Sequence, residues 1–216
     1  MYLLHHFPGT AAMAPHLLLR HIGVPFRLEA IDRENGGHKR PEYLALNPSG
    51  RIPVLIDGDL VLFETAAICL HLADRHPEAK LAPALGTPQR AELYKWLMFL
   101  TNSPQPDLVA FYYTDRFTVD HGETALAACR AAAEKRCMDW FHILDQQLAD
   151  GRPYLLGADL TLVDYYLFML GRWGRNFTPG QCPRDLPHLG PFLQRMCRHP
   201  VVAATCEAEG LAAPWV

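Results

Sequence analysis

The 216-residue chain is poor in the features that mark several function classes. Its six cysteines, at positions 69, 129, 137, 182, 197 and 206, include no Cys-x-x-Cys pair. That spacing leaves no redox dithiol and no zinc ribbon, and no metal site is expected. Several of these thiols fall within apolar helical patterns, which suits free cysteines in a reducing cytoplasm better than a disulfide framework. No basic block interrupts a formal net charge of −3, so nucleic acid is excluded as an expected partner. No run approaches the roughly 18 apolar residues of a membrane span. Met1–His6 lacks the charged start of an export signal. Repeats and low-complexity tracts are also missing. What the chain does have is apolar content: half of its residues are hydrophobic, enough for a sizeable core.

The pattern changes once along the chain. The first eighty residues alternate. A strand is predicted over Tyr2–Phe7, a helix over Ala11–Ile22 stopped by Gly23, and a second strand over Pro25–Ile31. A short helix follows over Pro41–Leu46, then a hairpin and a helix over Glu64–Asp74. Crossover handedness makes the first two strands parallel. From His76 to Pro88 the chain is rich in proline, alanine and glycine, and beyond it the periodicity is helical. Helices are expected over Gln89–Thr101, Thr124–Ala149, Thr161–Gly171, Pro187–Arg198 and Pro200–Ala208, with Pro104 and Pro106 interrupting the first. Thr161 and Asp164 have the spacing of a capping box. The domain division is therefore 1–78, a linker at 79–87, and 88–216.

Residues 47–65 are the most informative stretch. Val54-Leu55-Ile56 and Leu60–Phe63 flank an Asp-Gly turn, a strong hairpin signal. Pro53 stands just before the first strand, where no ladder donor is required. An Ile52-Pro53 bond can be cis at modest cost, which would turn the N–H and C=O of Ile52 out of the sheet toward an extended ligand. Glu64 and Thr65 open a helix whose first amides and positive dipole end suit a carboxylate.

Asn47-Pro48-Ser49-Gly50, Ile52-Pro53 and Glu64-Thr65 together resemble the glutathione-binding site of the glutathione transferase superfamily. The resemblance implies an α/β thioredoxin-like N-terminal domain followed by an all-α C-terminal helical bundle domain. It also implies reduced glutathione as co-substrate, a homodimer, and a small hydrophobic electrophile bound between the domains. By resemblance Ile52, beside Pro53, pairs with the cysteinyl backbone of glutathione, and Glu64 and Thr65 hold its γ-glutamyl end. His38 and Arg51 are candidates for the glycyl carboxylate.

A free thiol has a pKa of about 8.5, and lowering it by ~2 units needs about 2.7 kcal/mol in favour of the anion. The loop Phe7-Pro8-Gly9-Thr10-Ala11-Ala12 is the place for it. Thr10 carries the only hydroxyl between Gly9 and Met13, and the N–H groups of Ala11 and Ala12 lie at a helix start. The bacterial beta class of the family has a cysteine where this chain has Ala11, so mixed-disulfide chemistry has no protein thiol here. Thr10 can equally be a helix cap, which would leave activation to backbone amides or to Asn102 and Gln105. Those two can donate an amide hydrogen but cannot act as bases. Phe7, Tyr112, Tyr113 and Arg116 are the expected substrate-pocket residues. The leading expectation is glutathione conjugation. Its alternatives are glutathione-dependent isomerisation or peroxide reduction, or glutathione binding without turnover.

Overall fold

A computed structural model describes residues 1–216, which divide into two compact units. The first comprises Met1–Ala84 and His199–Ala213, the second Leu85–Arg198 and Pro214–Val216. Residues 199–213, which sequence texture assigns to the second domain, pack with the first.

In the first unit β1 (Tyr2–His6), β2 (Phe26–Ala30), β3 (Val54–Asp57) and β4 (Leu60–Phe63) form one sheet in the order β2-β1-β3-β4. β1 is flanked on both edges, and four of its five residues are buried, as expected of a strand covered on both faces. It pairs parallel with β2 and antiparallel with β3. The crossover between β1 and β2 is α1 (Met13–Ile22), two residues shorter at its start than the sequence suggests. It ends at Gly23, where a φ of 76° lets the N–H reach back to Leu19. β3 and β4 join through the two residues Gly58 and Asp59, with Asp57 opposite Leu60. The short α2 (Pro41–Leu44) precedes β3. α3 (Thr65–Arg75) follows β4 and packs on α1, and α9 (Pro200–Ala208) packs on α1 as well.

The second unit is helical: α4 (Pro88–Asn102), α5 (Pro104–Tyr112), α6 (Glu123–Gln147), α7 (Leu162–Trp173) and α8 (Leu189–Cys197). Pro104 and Pro106 do not kink a continuing helix. The chain breaks at Ser103 and both prolines fall in the first turn of α5, where a missing N–H costs no intrahelical bond. α8 starts two residues later than expected, because its first amides are held from elsewhere: the buried Asp145 of α6 accepts from the N–H of His188 and of Leu189, both at 2.8 Å.

α7 is buried from Leu162 to Arg172 and opens with the expected capping box. Asp164 Oδ2 accepts from the N–H of Thr161 at 2.7 Å and from its hydroxyl at 3.0 Å, while Oδ1 accepts from the N–H of Leu155 at 2.8 Å. Burial outweighs these donors and pushes the Asp164 carboxyl up to about 6, from 3.8. The folded state therefore holds this proton more tightly than the unfolded chain. The stability from protonated Asp164 is fully present below pH ~4 and is lost as pH rises through about 6. At about 1.4 kcal/mol per pH unit the swing is roughly 3 kcal/mol. Chemical denaturation from pH 4 to 7 is expected to show wild type losing about that much stability relative to Asp164→Asn.

Candidate functional site

Register decides which loops meet. His5 pairs with Val54, and Val54 pairs with Phe63. The end of β1, the start of β3 and the end of β4 therefore lie side by side. Loop 7–12, the Ile52-Pro53 pair and the Glu64-Thr65 pair all issue from this one end of the sheet.

The segment before β3 is held from beneath. The carbonyl of Arg51 accepts from Tyr43 Oη at 2.8 Å and from Asn47 Nδ2 at 2.7 Å. Asn47 Oδ1 accepts in turn from the N–H and the hydroxyl of Ser49. Gly50 has a φ of 59°, and a Cβ there would sit 2.7 Å from Lys39 Nζ and 2.9 Å from the carbonyl oxygen of His38. Glycine is therefore required on both counts. Ile52-Pro53 is cis. The N–H and C=O of Ile52 make no hydrogen bond within the chain, which leaves one donor and one acceptor for an extended partner.

Glu64 lies one residue beyond β4 with φ 71° and ψ 111°. A non-glycine residue in this region costs about 1–3 kcal/mol, a cost that tends to be found at binding sites. Its side chain is exposed and caps nothing, while Thr65 is buried. The N–H groups of Thr65, Ala66 and Ala67 have no acceptor within the chain and form the open positive end of α3. His38 is half-buried in the turn Gly37–Lys39, Lys39 Nζ donates to the carbonyl of Ser49 at 3.3 Å, and Arg51 is exposed. The Lys39 and Arg51 charges and the His38 imidazole border the same segment.

In loop 7–12 the Thr10 hydroxyl donates to the carbonyl of Phe7 at 2.6 Å and accepts weakly from the N–H of Ala12 at 3.4 Å. Its hydrogen is thus turned inward. The N–H of Ala11 has no acceptor in the chain. Gly9, at φ 69°, donates its N–H to Glu209 Oε2 at 2.7 Å. Phe7 is half-buried, with the Arg33 guanidinium 5.6 Å from its ring centre.

In the second unit, Asn102 is the exposed last residue of α4. Gln105, in the first turn of α5, accepts from Tyr166 Oη through its side-chain oxygen, which leaves its NH₂ as a donor. Tyr112 donates its hydroxyl to the carbonyl of Trp173 and accepts from Asn176 Nδ2 at 3.3 Å. Burial raises its pKa. Arg116 stacks over the Tyr113 ring at 4.2 Å. Tyr112 is thus fastened within its own unit, and Tyr113 and Arg116 form a cation–aromatic pair.

Three features lay outside the sequence reading. The strained backbone of Glu64 has no sequence signal, since glutamate carries no mark of a positive φ. The Tyr43 and Asn47 grip on Arg51 is hidden because each residue is ordinary in its own element. Glu209 lies too far along the chain from Gly9 for any local pattern to join them.

Comparison with known proteins places these features in context. Residues 1–74 match the glutathione S-transferase N-terminal domain family, and residues 107–200 match the glutathione S-transferase C-terminal domain family. Glutathione S-transferase GST-4.5 of Xanthomonas campestris pv. campestris is 30% identical over 204 residues, covering 94% of this chain and 97% of that one. Glutathione S-transferase GstA of Escherichia coli O157:H7 is 30% identical over 214 residues, covering 96% and 98%. Among solved structures, a glutathione S-transferase from Xylella fastidiosa superposes with a TM-score of 0.87 at 31% identity, covering 98% of this chain and all of that one. A sphingomonad glutathione S-transferase complexed with glutathione gives 0.82 at 30% identity, covering 97% and 100%.

Glu64→Gly removes the backbone strain and is expected to raise stability by about 1 kcal/mol in urea unfolding. A loss of stability instead would show that the glutamate side chain more than offsets its own strain.

Proposed function

Since the chain belongs to the glutathione transferase superfamily, a superfamily of transferase enzymes, we propose that it binds reduced glutathione at this end of the sheet and conjugates its thiolate to a small apolar electrophile. The observation that carries the reading is the pair of unpartnered backbone groups on Ile52 beside the unpartnered N–H of Ala11. Ile52 pairs with the cysteinyl residue as a strand would. Thr65 and the open amides of α3 take the γ-glutamyl carboxylate, with Glu64 facing the γ-glutamyl ammonium. His38 and Arg51 serve the glycyl carboxylate. The sulfur then lies against loop 7–12, where Ala11 N–H and the dipole of α1 favour the anion. Thr10 adds a hydrogen bond when its hydroxyl turns from the Phe7 carbonyl to the sulfur.

No cysteine stands in loop 7–12, and Cys69, in α3, is buried with its thiol pKa pushed well above the usual range. Only the sulfur of glutathione is then available as nucleophile. Phe7 offers apolar surface for the electrophile beside the loop. Six free thiols fit a cytoplasmic setting.

The pH–rate profile tests the activator. Thr10→Val is expected to raise the apparent thiol pKa of bound glutathione by up to about one unit, with affinity nearly intact. An unchanged profile assigns activation to the Ala11 amide alone. The inward-turned Thr10 hydroxyl favours a second reading, a glutathione-binding protein without turnover. Retention on immobilised glutathione, with no conjugation, isomerisation or peroxide reduction across a panel of electrophiles, would select it.

A homodimer belongs to the same proposal. Leu60 (42% exposed), Val61 (39%) and Phe63 (40%) lie on the edge strand β4. Apolar side chains on an open edge call for a cover. Sedimentation is expected to show a dimer that Phe63→Glu weakens at least tenfold.

A further inference from the structure

Four side chains and one backbone amide form a single row inside the first unit. Gly9 N–H donates to Glu209 Oε2 at 2.7 Å. The other oxygen of Glu209 lies 2.8 Å from His16 Nδ1, and both side chains are fully buried. Arg20 Nε donates to His16 Nε2 at 2.9 Å, and its guanidinium rests 5.9 Å from the centre of the Phe26 ring. Arginine has no acceptor, so His16 Nε2 must accept and the imidazole proton sits on Nδ1, facing Glu209. The row thus has one consistent set of donors. It carries a cation at one end and a carboxylate near the other, and so is balanced in charge. It spans the chain: Glu209 lies just past α9, 200 residues from Gly9.

A buried carboxylate is costly, and an apolar residue of similar volume would fill this place at less cost. What the carboxylate adds is a fixed acceptor for one amide in a loop whose neighbouring amide, Ala11 N–H, is open. Gly9 at φ 69° has little preference of its own to hold that geometry. One residue, Thr10, lies between the pinned amide and the open one, which are about 7 Å of chain apart at most. Thr10 is itself tied to the Phe7 carbonyl through its N–H and its hydroxyl, so the direction of one amide constrains that of the other.

We propose that Glu209, oriented by His16 and Arg20, is a positioning residue for thiol activation: by pinning Gly9 it aims Ala11 N–H at the sulfur. The proposal rests on the glutathione reading above. It makes the segment after α9 part of the machinery of the opposite end of the chain.

The test uses the full-length protein and its Glu209→Ala, Glu209→Gln and Val202→Ala variants. The readouts are amide hydrogen exchange in residues 9–12, the pKa of bound glutathione from thiolate absorbance, and unfolding. Losing a charge-assisted hydrogen bond corresponds to about tenfold or more. Glu209→Ala is therefore expected to speed exchange in the loop about tenfold and to raise the bound thiol pKa by about one unit. Glu209→Gln keeps one oxygen for Gly9 but turns its NH₂ toward His16 Nδ1–H, and is expected to give a thiol pKa between those of wild type and the alanine variant. Val202→Ala, a buried truncation on α9 outside the row, is expected to lower stability with the pKa unmoved. Should Glu209→Ala fail to fold, Glu209→Asp keeps the charge, loses the reach and carries the same expectation as alanine. Unchanged exchange and thiol pKa in the alanine or aspartate variant, with stability alone reduced, would overturn the proposal. A wild-type protein that binds no glutathione removes the underlying reading instead, and the exchange rates, which need no ligand, tell the two failures apart.

Discussion

The pairing of β3 with β1 governs the rest of the first unit. Because His5 stands opposite Val54 and Val54 opposite Phe63, three loops distant in sequence emerge at one end of the sheet. A slip of one residue would turn every side chain of β3 to the other face. It would also carry Ile52 and Glu64 away from loop 7–12. The register is fixed by burial of Leu4, Val54 and Leu55 and by the two-residue turn at Gly58. The chemistry of the site is therefore positioned by apolar packing that takes no part in it.

Three buried acids share a second theme. Asp145 holds the first amides of α8, Asp164 the start of α7 together with Leu155, and Glu209 the turn at Gly9. Each supplies a backbone segment with acceptors that the segment cannot provide for itself. None is a surface ion pair of small consequence. Removing Asp145 or Asp164 strands buried amides, of Leu189 or of Leu155 and Thr161, where an unmet donor costs about 1–3 kcal/mol; the Gly9 amide held by Glu209 is part-buried.

Much of this was legible in the sequence. The alternation of elements, the parallel first pair, the hairpin at Asp57-Gly58, the helical second half and the Thr161-Asp164 box all follow from local periodicity and turn chemistry. The family resemblance rested on Ile52-Pro53 and Glu64-Thr65, whose spacing the sheet converts into adjacency. The remainder is non-local. Nothing near Glu209 announces Gly9, nothing near Asp145 announces α8, and the grouping of 199–213 with the first unit depends on contacts with α1. Thr10 shows another limit. The sequence supplied a hydroxyl at the right place, and the structure turned it toward Phe7, because a nearby carbonyl satisfies a threonine as well as a ligand does.

Gly50 leaves no room for even a methyl group between the turn at residues 37–39 and the segment that leads into β3. The His38 carbonyl and the Lys39 side chain, whose Nζ also donates to the Ser49 carbonyl, both press on it there. A displacement of the 37–39 turn would therefore be passed to the backbone two residues before the cis bond.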